Sequence, residues 1–145
     1  MNWKENLLGN DAEIKGLLEN TKRIAVLGIK TEAQSSQPAF YVPQYMKSAG
    51  FEIVPVPVYY PETTEILGRK VYRSLAEIPG EIDLVNIFRR SADVAQHTAD
   101  ILAKKPKAVW MQSGIYNDDV ARELAQNGIK VVQNLCLMVE HRALR

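Results

Sequence analysis

The sequence predicts a doubly wound α/β fold, with a mainly parallel five-stranded sheet and helices on both faces. Short apolar runs alternate with helical patterns along the chain. The apolar runs contain few polar residues, which is typical of strands that helices cover on both faces. The segments between them are long enough for the helical crossovers that parallel strands require. In such a sheet, ligands bind outside the carboxyl ends of the strands, where the strand order reverses.

Length and composition predict one compact domain over residues 1–145, because 46% of the residues are hydrophobic. The formal net charge is +1 and there is no long basic or acidic run, so neither nucleic acid nor a membrane is expected as a partner. No apolar run approaches the ~20 residues that cross a bilayer. The amino end lacks the pattern of a signal peptide. The single cysteine, Cys136, cannot form an internal disulfide, which fits a cytoplasmic location.

A lead-in helix is predicted ahead of the first strand. Residues 11–20 begin with Asp11, a residue type suited to the N-cap of a helix. The apolar side chains of this segment share one helical face, namely Ile14, Leu17 and Leu18. We therefore expect residues 1–22 to form a lead-in segment and residues 23–142 to form the core that contains the sheet.

The next elements follow the order strand, helix, strand. Residues 23–28 are an apolar run that ends in a glycine, and they predict the first strand. Residues 39–49 have a helical pattern, in which Pro43 must lie in the first turn or kink the helix. Residues 51–58 are rich in β-branched side chains and predict a second strand, although its prolines would remove its end from ladder pairing.

The second half of the chain repeats this alternation. The strand candidates are residues 83–88, 107–111 and 129–132. The helix candidates are residues 74–78, 91–104 and 118–126, with Ser74, Ser91 and either Asn117 or Asp118 as their N-caps. The functional loops should therefore be those that follow the first four strands.

The first of these loops lacks the known nucleotide signatures. Gly28 is not followed by the second and third glycines of a dinucleotide-binding fingerprint, and the second strand does not end in the acidic residue that would bind a ribose. No Walker sequence is present. The loop instead carries hydroxyl and amide side chains ahead of a helix amino terminus, at Thr31, Ser35, Ser36 and Gln37. Such a terminus favours an anion such as phosphate.

A set of short motifs resembles one known family when taken in order. In the first half they are Ala25-Val-Leu-Gly28, Tyr41-Val-x-x-Tyr45, Gly50-Phe-Glu-Ile-Val-Pro-Val and Glu65-x-Leu-Gly68. In the second half they are Tyr72-x-Ser-Leu-x-x-Ile-Pro79, Asp83-Leu-Val-x-x-Phe-Arg-Arg90, Ala108-Val-Trp-x-Gln112-x-Gly-Ile115 and Cys136-Leu-x-x-Glu-His141. Over residues 24–142 the chain resembles the small stand-alone CoA-binding proteins. Their Rossmann-like domain is similar to the amino-terminal domain of the succinyl-CoA synthetase alpha chain.

The resemblance implies a ligand, coenzyme A or an acyl-CoA, and a position for each of its parts. It places the diphosphate after the first strand and at the start of the following helix, at Gly28, Ile29, Lys30, Ser36 and Gln37. It places the adenine near the end of the second strand, at Pro57, Val58 and Tyr59. The third strand closes with Phe88, Arg89 and Arg90, and either guanidinium could pair with a phosphate. The pantetheine arm would extend toward Gln112, Ser113 and Gly114.

Two departures from the family pattern concern affinity more than fold. Many relatives carry an arginine in the first loop, whereas this chain has no arginine there, and Lys30 is the candidate substitute. Relatives commonly have an aspartate two residues before the cysteine, where this chain has Asn134. Any role that depends on the charge of that aspartate would be absent.

Each candidate residue also has a purely structural interpretation. Arg89 and Arg90 could be a surface pair, and Gly28 could serve only the packing of strand on helix. Cys136 lies five residues before His141, but nothing nearby supplies an orienting group and an oxyanion hole, so an inert buried thiol is the better interpretation.

We expect binding without catalysis. The sequence contains no paired carboxylates in a shared loop, no metal-ligand spacing around its histidines and no serine elbow. One alternative is a subunit of a CoA-dependent enzyme, such as half of an acyl-CoA ligase. Another is a CoA-sensing module that regulates a protein partner, and a homo-oligomer is also open.

Overall fold

The computed structural model describes residues 2–145 and contains five helices and seven strands. The helices are α1 (Asp11–Glu19), α2 (Pro38–Ser48), α3 (Thr98–Lys104), α4 (Asp118–Gln126) and α5 (Leu137–Leu144). The strands are β1 (Arg23–Leu27), β2 (Glu52–Val56), β3 (Glu65–Ile66), β4 (Arg69–Lys70), β5 (Leu84–Ile87), β6 (Ala108–Met111) and β7 (Lys130–Val132). Short 3-10 helices cover Trp3–Asn6, Glu32–Gln34, Leu75–Glu77 and Ser91–His97.

Five of the strands form one parallel sheet in the order β2-β1-β5-β6-β7. From β1 the chain runs outward through α2 to β2, and then returns to place β5 on the other side of β1. The strand order therefore reverses between β1 and β5, whose residues pair directly from Ile24 with Leu84 to Leu27 with Ile87. This confirms the predicted fold class and fixes the crevice at the carboxyl ends of these two strands.

The sheet separates two layers of apolar side chains. On one face, α1, α2 and α5 pack against alternate strand residues such as Ile24, Val26 and Trp110. On the other face, α3 and α4 pack against the intervening residues, such as Ala25 and Val109. Because successive side chains of a strand point to opposite faces, both sets are buried, and the strands have the continuous apolar sequences seen above.

Pro43 lies in the second turn of α2, so of the two predicted alternatives the first-turn position is not the one found. A proline inside a helix cannot donate to the carbonyl four residues earlier, which here belongs to Ala39. That carbonyl instead accepts a hydrogen bond of 3.1 Å from the N–H of Lys30. The proline thus leaves an acceptor that ties the loop after β1 to the start of α2.

Two of the predicted N-cap bonds do not form: Ser74 occupies its N-cap position without a side-chain bond, and Arg90, not Ser91, is the N-cap of the 3-10 helix Ser91–His97. Ser74 precedes the 3-10 helix Leu75–Glu77 without a cap bond, and the carboxylate of Asp100 accepts from the N–H groups of Leu75 and Ala76 at 2.7 and 3.1 Å. The hydroxyl of Ser91 accepts from the N–H of Tyr116 at 3.0 Å. Asn117 does cap α4, as predicted.

Candidate functional site

An open crevice of about 610 Å³ lies at the carboxyl ends of β1, β5 and β6, where the strand order reverses. Its walls come from the loop after β1, the start of α2 and the loops after β5 and β6. The lining residues are Lys30, Gln37, Pro38, Ala39, Phe88, Arg89, Arg90, Gln112, Ser113, Gly114 and Ile115. The size falls within the range of about 300 to 1,000 Å³ that is usual for small-molecule sites. Six of the twelve predicted site residues therefore lie together: Lys30, Gln37, Phe88, Arg89, Arg90 and Gln112.

Gly28 does not line the crevice itself, but it allows the backbones at the ends of β1 and β5 to approach closely beside it. Its φ angle is +88°, and a Cβ atom there would lie 2.2 Å from the carbonyl oxygen of Phe88 and 3.4 Å from Cδ of Arg89. No side chain fits at that distance. The close contact is therefore not the packing of strand on helix considered from the sequence: the glycine lets the end of β1 approach the end of β5, and the stem of Arg89 lies beside it.

The loop after β1 presents one cation and several backbone donors. The Nζ of Lys30 donates to Oε1 of Gln37, so the two predicted residues are in contact. Gln37 precedes α2 but makes no cap bond, and Pro38 has no N–H, which leaves the N–H of Ala39 as the first free donor of the helix. The side chain of Ile29 is buried, and its N–H group donates no hydrogen bond within residues 2–145. Ser36 is exposed and does not line the crevice.

The two arginines after β5 differ sharply. The Arg90 side chain is 85% exposed and donates through Nε to Asp93 at 2.9 Å. The Arg89 side chain is only 22% exposed, and its Nε donates to Nε2 of His97 at 3.1 Å. Burial, together with the charge of Arg89, lowers the pKa of His97 below its ordinary value. His97 was missed as a site residue in the sequence; it ends the 3-10 helix Ser91–His97, and Arg89 lies two residues before that helix begins.

Gln112 is held from below by a buried polar network. Its Oε1 accepts from Nδ2 of Asn86 and from the N–H of Leu137, each at 3.2 Å. Oδ1 of Asn86 is buried and lacks a partner within residues 2–145. Beside Gln112, the N–H of Gly114 donates to Oδ1 of Asn134 at 2.7 Å. Asn134 has a φ of +60°, a conformation that asparagine tolerates, so it supports this wall through a neutral oxygen.

The predicted residues after β2 lie outside the crevice. Pro57 is buried, whereas Val58 and Tyr59 are 44% and 73% exposed. The guanidinium of Arg73 fastens this loop by donating to the carbonyl oxygens of Tyr59, Tyr60, Pro61 and Thr63 at 2.7 to 3.4 Å. The edge of the sheet thus presents an exposed aromatic ring on an anchored backbone, separate from the cationic crevice.

Cys136 is half-buried at the N-cap of α5, so the predicted burial of this residue is only partial. His141 is engaged elsewhere, because its Nδ1 is hydrogen-bonded to the hydroxyl of Tyr45 at 2.8 Å and its ring packs edge-on against Phe51. Burial and the nearby charge of Arg145 lower the pKa of His141. Within residues 2–145 no three His, Cys, Asp or Glu side chains are grouped to hold a metal ion. No helix in that range has the length and apolar character to cross a bilayer.

Comparison with known protein families matches residues 22–142 to the CoA binding domain. The chain belongs to the CoA-binding domain family. Uncharacterized protein YneT of Bacillus subtilis (strain 168) is 38% identical over 130 residues, which cover 90% of this chain and 93% of YneT. The recognition of the family from its motifs is thus confirmed.

Solved structures agree with this family. The structure of cell-free ID.343 from Thermus thermophilus has a TM-score of 0.86 and 36% identity, and covers 94% of this chain and 100% of its own. The dinucleotide forming acetyl-coenzyme A synthetase 1 of Ca. Korarchaeum cryptofilum, in its apo form, has a TM-score of 0.67 and 22% identity. That match covers 85% of this chain and 29% of the synthetase, and shows a shared fold alone.

Proposed function

We propose that this protein binds coenzyme A or an acyl-CoA in the crevice between the ends of β1 and β5, without catalysing a reaction on it. The observation that carries the proposal is the meeting of Lys30 and Arg89 at one crevice, across the point where the strand order reverses. The family supplies the ligand class. The geometry supplies the cations and backbone donors that a diphosphate requires.

The diphosphate fits best over Gly28. Lys30 and Arg89 approach this point from the loops after β1 and β5. The N–H groups of Ile29 and Ala39 add neutral donors, and the amino terminus of α2 adds the positive end of its dipole. No carboxylate lines the crevice among the described residues; Asp93, which pairs with Arg90 at 2.9 Å and lies 3.9 Å from Nη2 of Arg89, is outside the lining.

Arg89 is a better phosphate ligand than Arg90 for entropic reasons. Its side chain is held between Gly28 and His97, so little rotational freedom is lost when the ligand binds. The exposed side chain of Arg90 would lose more, and it already pairs with Asp93. A guanidinium also presents planar paired donors that suit two phosphate oxygens.

The remaining parts of the ligand follow from the ends of the flanking strands. The adenine would stack on the exposed ring of Tyr59, beside Val58 and Pro57. The pantetheine arm would extend the other way, along Gln112 and its neighbours in the loop after β6. Ser36, which lies outside the crevice, would contribute at most to its entrance.

The composition of the crevice supports binding over catalysis. Among residues 2–145, no histidine, cysteine, aspartate or glutamate lines it, so the hydroxyl of Ser113 has no base beside it there. A crevice of this kind can hold a phosphorylated ligand but, among residues 2–145, presents no carboxylate, imidazole or thiol as a general base or nucleophile.

The proposal is tested by comparing ligands in a thermal unfolding assay. A ligand that binds only the native state, at 100 times its Kd, adds about 2.7 kcal/mol to the free energy of unfolding. We expect CoA to raise the melting temperature far more than NAD or ATP at equal concentration. Equal shifts for all three would contradict the proposal, and release of free thiol from acetyl-CoA by the purified chain would contradict its non-catalytic part.

A further inference from the structure

His97 lies directly behind the arginine that faces the crevice. It ends the 3-10 helix Ser91–His97, is half-buried, and does not itself line the crevice. Its Nε2 lies 3.1 Å from Nε of Arg89. Because arginine can only donate hydrogen bonds, Nε2 must be the acceptor, and the neutral ring must carry its proton on Nδ1.

The hydrogen bond to His97 involves only Nε of the Arg89 guanidinium. The carboxylate of Asp93 lies 3.9 Å from Nη2 of Arg89, which is too long for a hydrogen bond. The terminal nitrogens therefore keep their donors, while Nε is fixed by the ring and the stem of the side chain lies across Gly28. Without the ring, the guanidinium could rotate toward Asp93 and pair with it as Arg90 does.

We propose that His97 is the positioning residue for Arg89, holding its guanidinium so that the terminal nitrogens face a phosphate of the ligand. This inference rests on the proposed function, since it concerns how the same crevice binds CoA. His97 is not expected to contact the ligand itself, because it does not line the crevice. It acts by holding Arg89 at 3.9 Å from Asp93, short of a hydrogen bond, and by fixing the plane of the guanidinium before the ligand arrives, which lowers the entropic cost of binding.

The surroundings of His97 keep its ring neutral, so that Nε2 can accept the hydrogen bond from Arg89. The charged groups that face it are Arg89, Asp93 and Asp100. Burial of the ring and the positive charge of Arg89 disfavour a second proton, and these effects outweigh the two carboxylates, so its pKa is lowered. A protonated ring would present donors on both nitrogens and could not accept from Arg89.

The test is a double-mutant cycle read by calorimetric titration of CoA at pH 7.5. His97→Phe keeps a planar ring but removes the acceptor, and we expect it to weaken CoA binding about fivefold, the worth of one hydrogen bond. His97→Gln restores an acceptor, and we expect its Kd within about twofold of the wild type. In an Arg89→Met background, His97→Phe should change the Kd by less than about twofold, because the group it positions is gone.

Thermal unfolding of each variant without ligand shows whether it is folded, and His97→Leu replaces His97→Phe if the latter does not fold. Equal weakening by His97→Phe with and without Arg89 would contradict a role through Arg89, and so would a failure of His97→Gln to restore binding. No binding of CoA to the wild type would instead contradict the proposed function itself. Binding that depends on Arg89 but not on His97 would contradict only the positioning role.

Discussion

The loops after β1 and β5 converge, whereas the loop after β2 stands apart. Where the loops after β1 and β5 meet, Gly28 lets the backbone of Phe88 and the stem of Arg89 approach the end of β1. In the loop after β2, Val58 and Tyr59 lie exposed beyond the edge strand, and the guanidinium of Arg73 holds the backbone of this loop by hydrogen bonds. One region offers cations in a crevice, and the other offers an aromatic surface.

This difference follows from strand order. β1 and β5 are neighbours at the reversal, so no helix covers the gap between their carboxyl ends. β2 lies at the edge of the sheet, where Pro55 is tolerated and the chain turns away after Val56. The proposed ligand, with phosphates near its centre and an aromatic base at one end, would contact both regions at once.

The largest effect is expected where the two loops meet. Gly28→Ala should lower the free energy of unfolding by about 3 kcal/mol or more, because left-handed strain and a clash with the Phe88 carbonyl add together. Gly128→Ala is the matched control, since Gly128 also has a positive φ, of +83°, but nothing within 4 Å of the added Cβ. It should cost only about 1 kcal/mol. Urea unfolding measures both, and equal losses would mean that the close approach is not required.

The next effect separates the two arginines. Arg89→Met should weaken CoA binding about tenfold to a hundredfold, as expected for a charged hydrogen bond of about 1.5 to 3 kcal/mol. Arg89→Lys should also weaken it, because lysine lacks the paired planar donors. Arg90→Met is the matched control and should change the Kd by less than about twofold, since that side chain is 85% exposed. If Arg90→Met weakened CoA binding more than Arg89→Met, Arg90 rather than Arg89 would be the phosphate ligand.

A smaller effect is expected at the edge of the sheet. Tyr59→Ala should weaken CoA binding about fivefold, at the low end of the range for one stacked base, and should leave binding of pantetheine phosphate unchanged. Tyr116→Ala removes a tyrosine that is also exposed, at 58%, from the loop after β6, and should have no effect on either ligand. If Tyr59→Ala weakens both ligands equally, the adenine does not lie at the end of β2.

The smallest effect concerns pH and stability. The pKa values of His97 and His141 are lowered in the folded state, so the unfolded chain binds protons more readily. Their neutral forms stabilise the protein fully above the unfolded value of about 6.5. That contribution is lost as the pH falls through the folded pKa values. Urea unfolding between pH 8 and 5 should show a steeper decline for the wild type than for the His97→Gln, His141→Gln double variant, and parallel curves would contradict this.

The sheet could be predicted from the sequence because its strands are covered on both faces and therefore continuously apolar. The β3–β4 hairpin could not be predicted, because each strand has only two residues and its turn is held by side chains that are distant in the sequence. The N–H of Leu67 donates to Glu32 at 2.9 Å, and the carbonyl of Leu67 accepts from Lys47. Helix α5 was also missed, because Cys136 precedes it without a side-chain cap.

The site was predictable to the extent that it depends on strand ends. Position in the chain was enough to bring Lys30 and Arg89 to one crevice, because topology alone places these loops together. The choice between Arg89 and Arg90 was not predictable, since it depends on which side chain a neighbouring helix buries. His97 contacts Arg89 from the end of the seven-residue 3-10 helix Ser91–His97, for which the sequence carries no clear pattern.

A crystal structure of the protein with CoA tests most directly whether the ligand binds in the crevice between the ends of β1 and β5. We expect the diphosphate to lie over Gly28, within hydrogen-bond distance of the terminal nitrogens of Arg89 and of the Ile29 N–H, with Lys30 turned from Gln37 toward the phosphates. Nε of Arg89 should still donate to His97. A CoA molecule bound elsewhere, or one whose phosphates contact neither Lys30 nor Arg89, would contradict it.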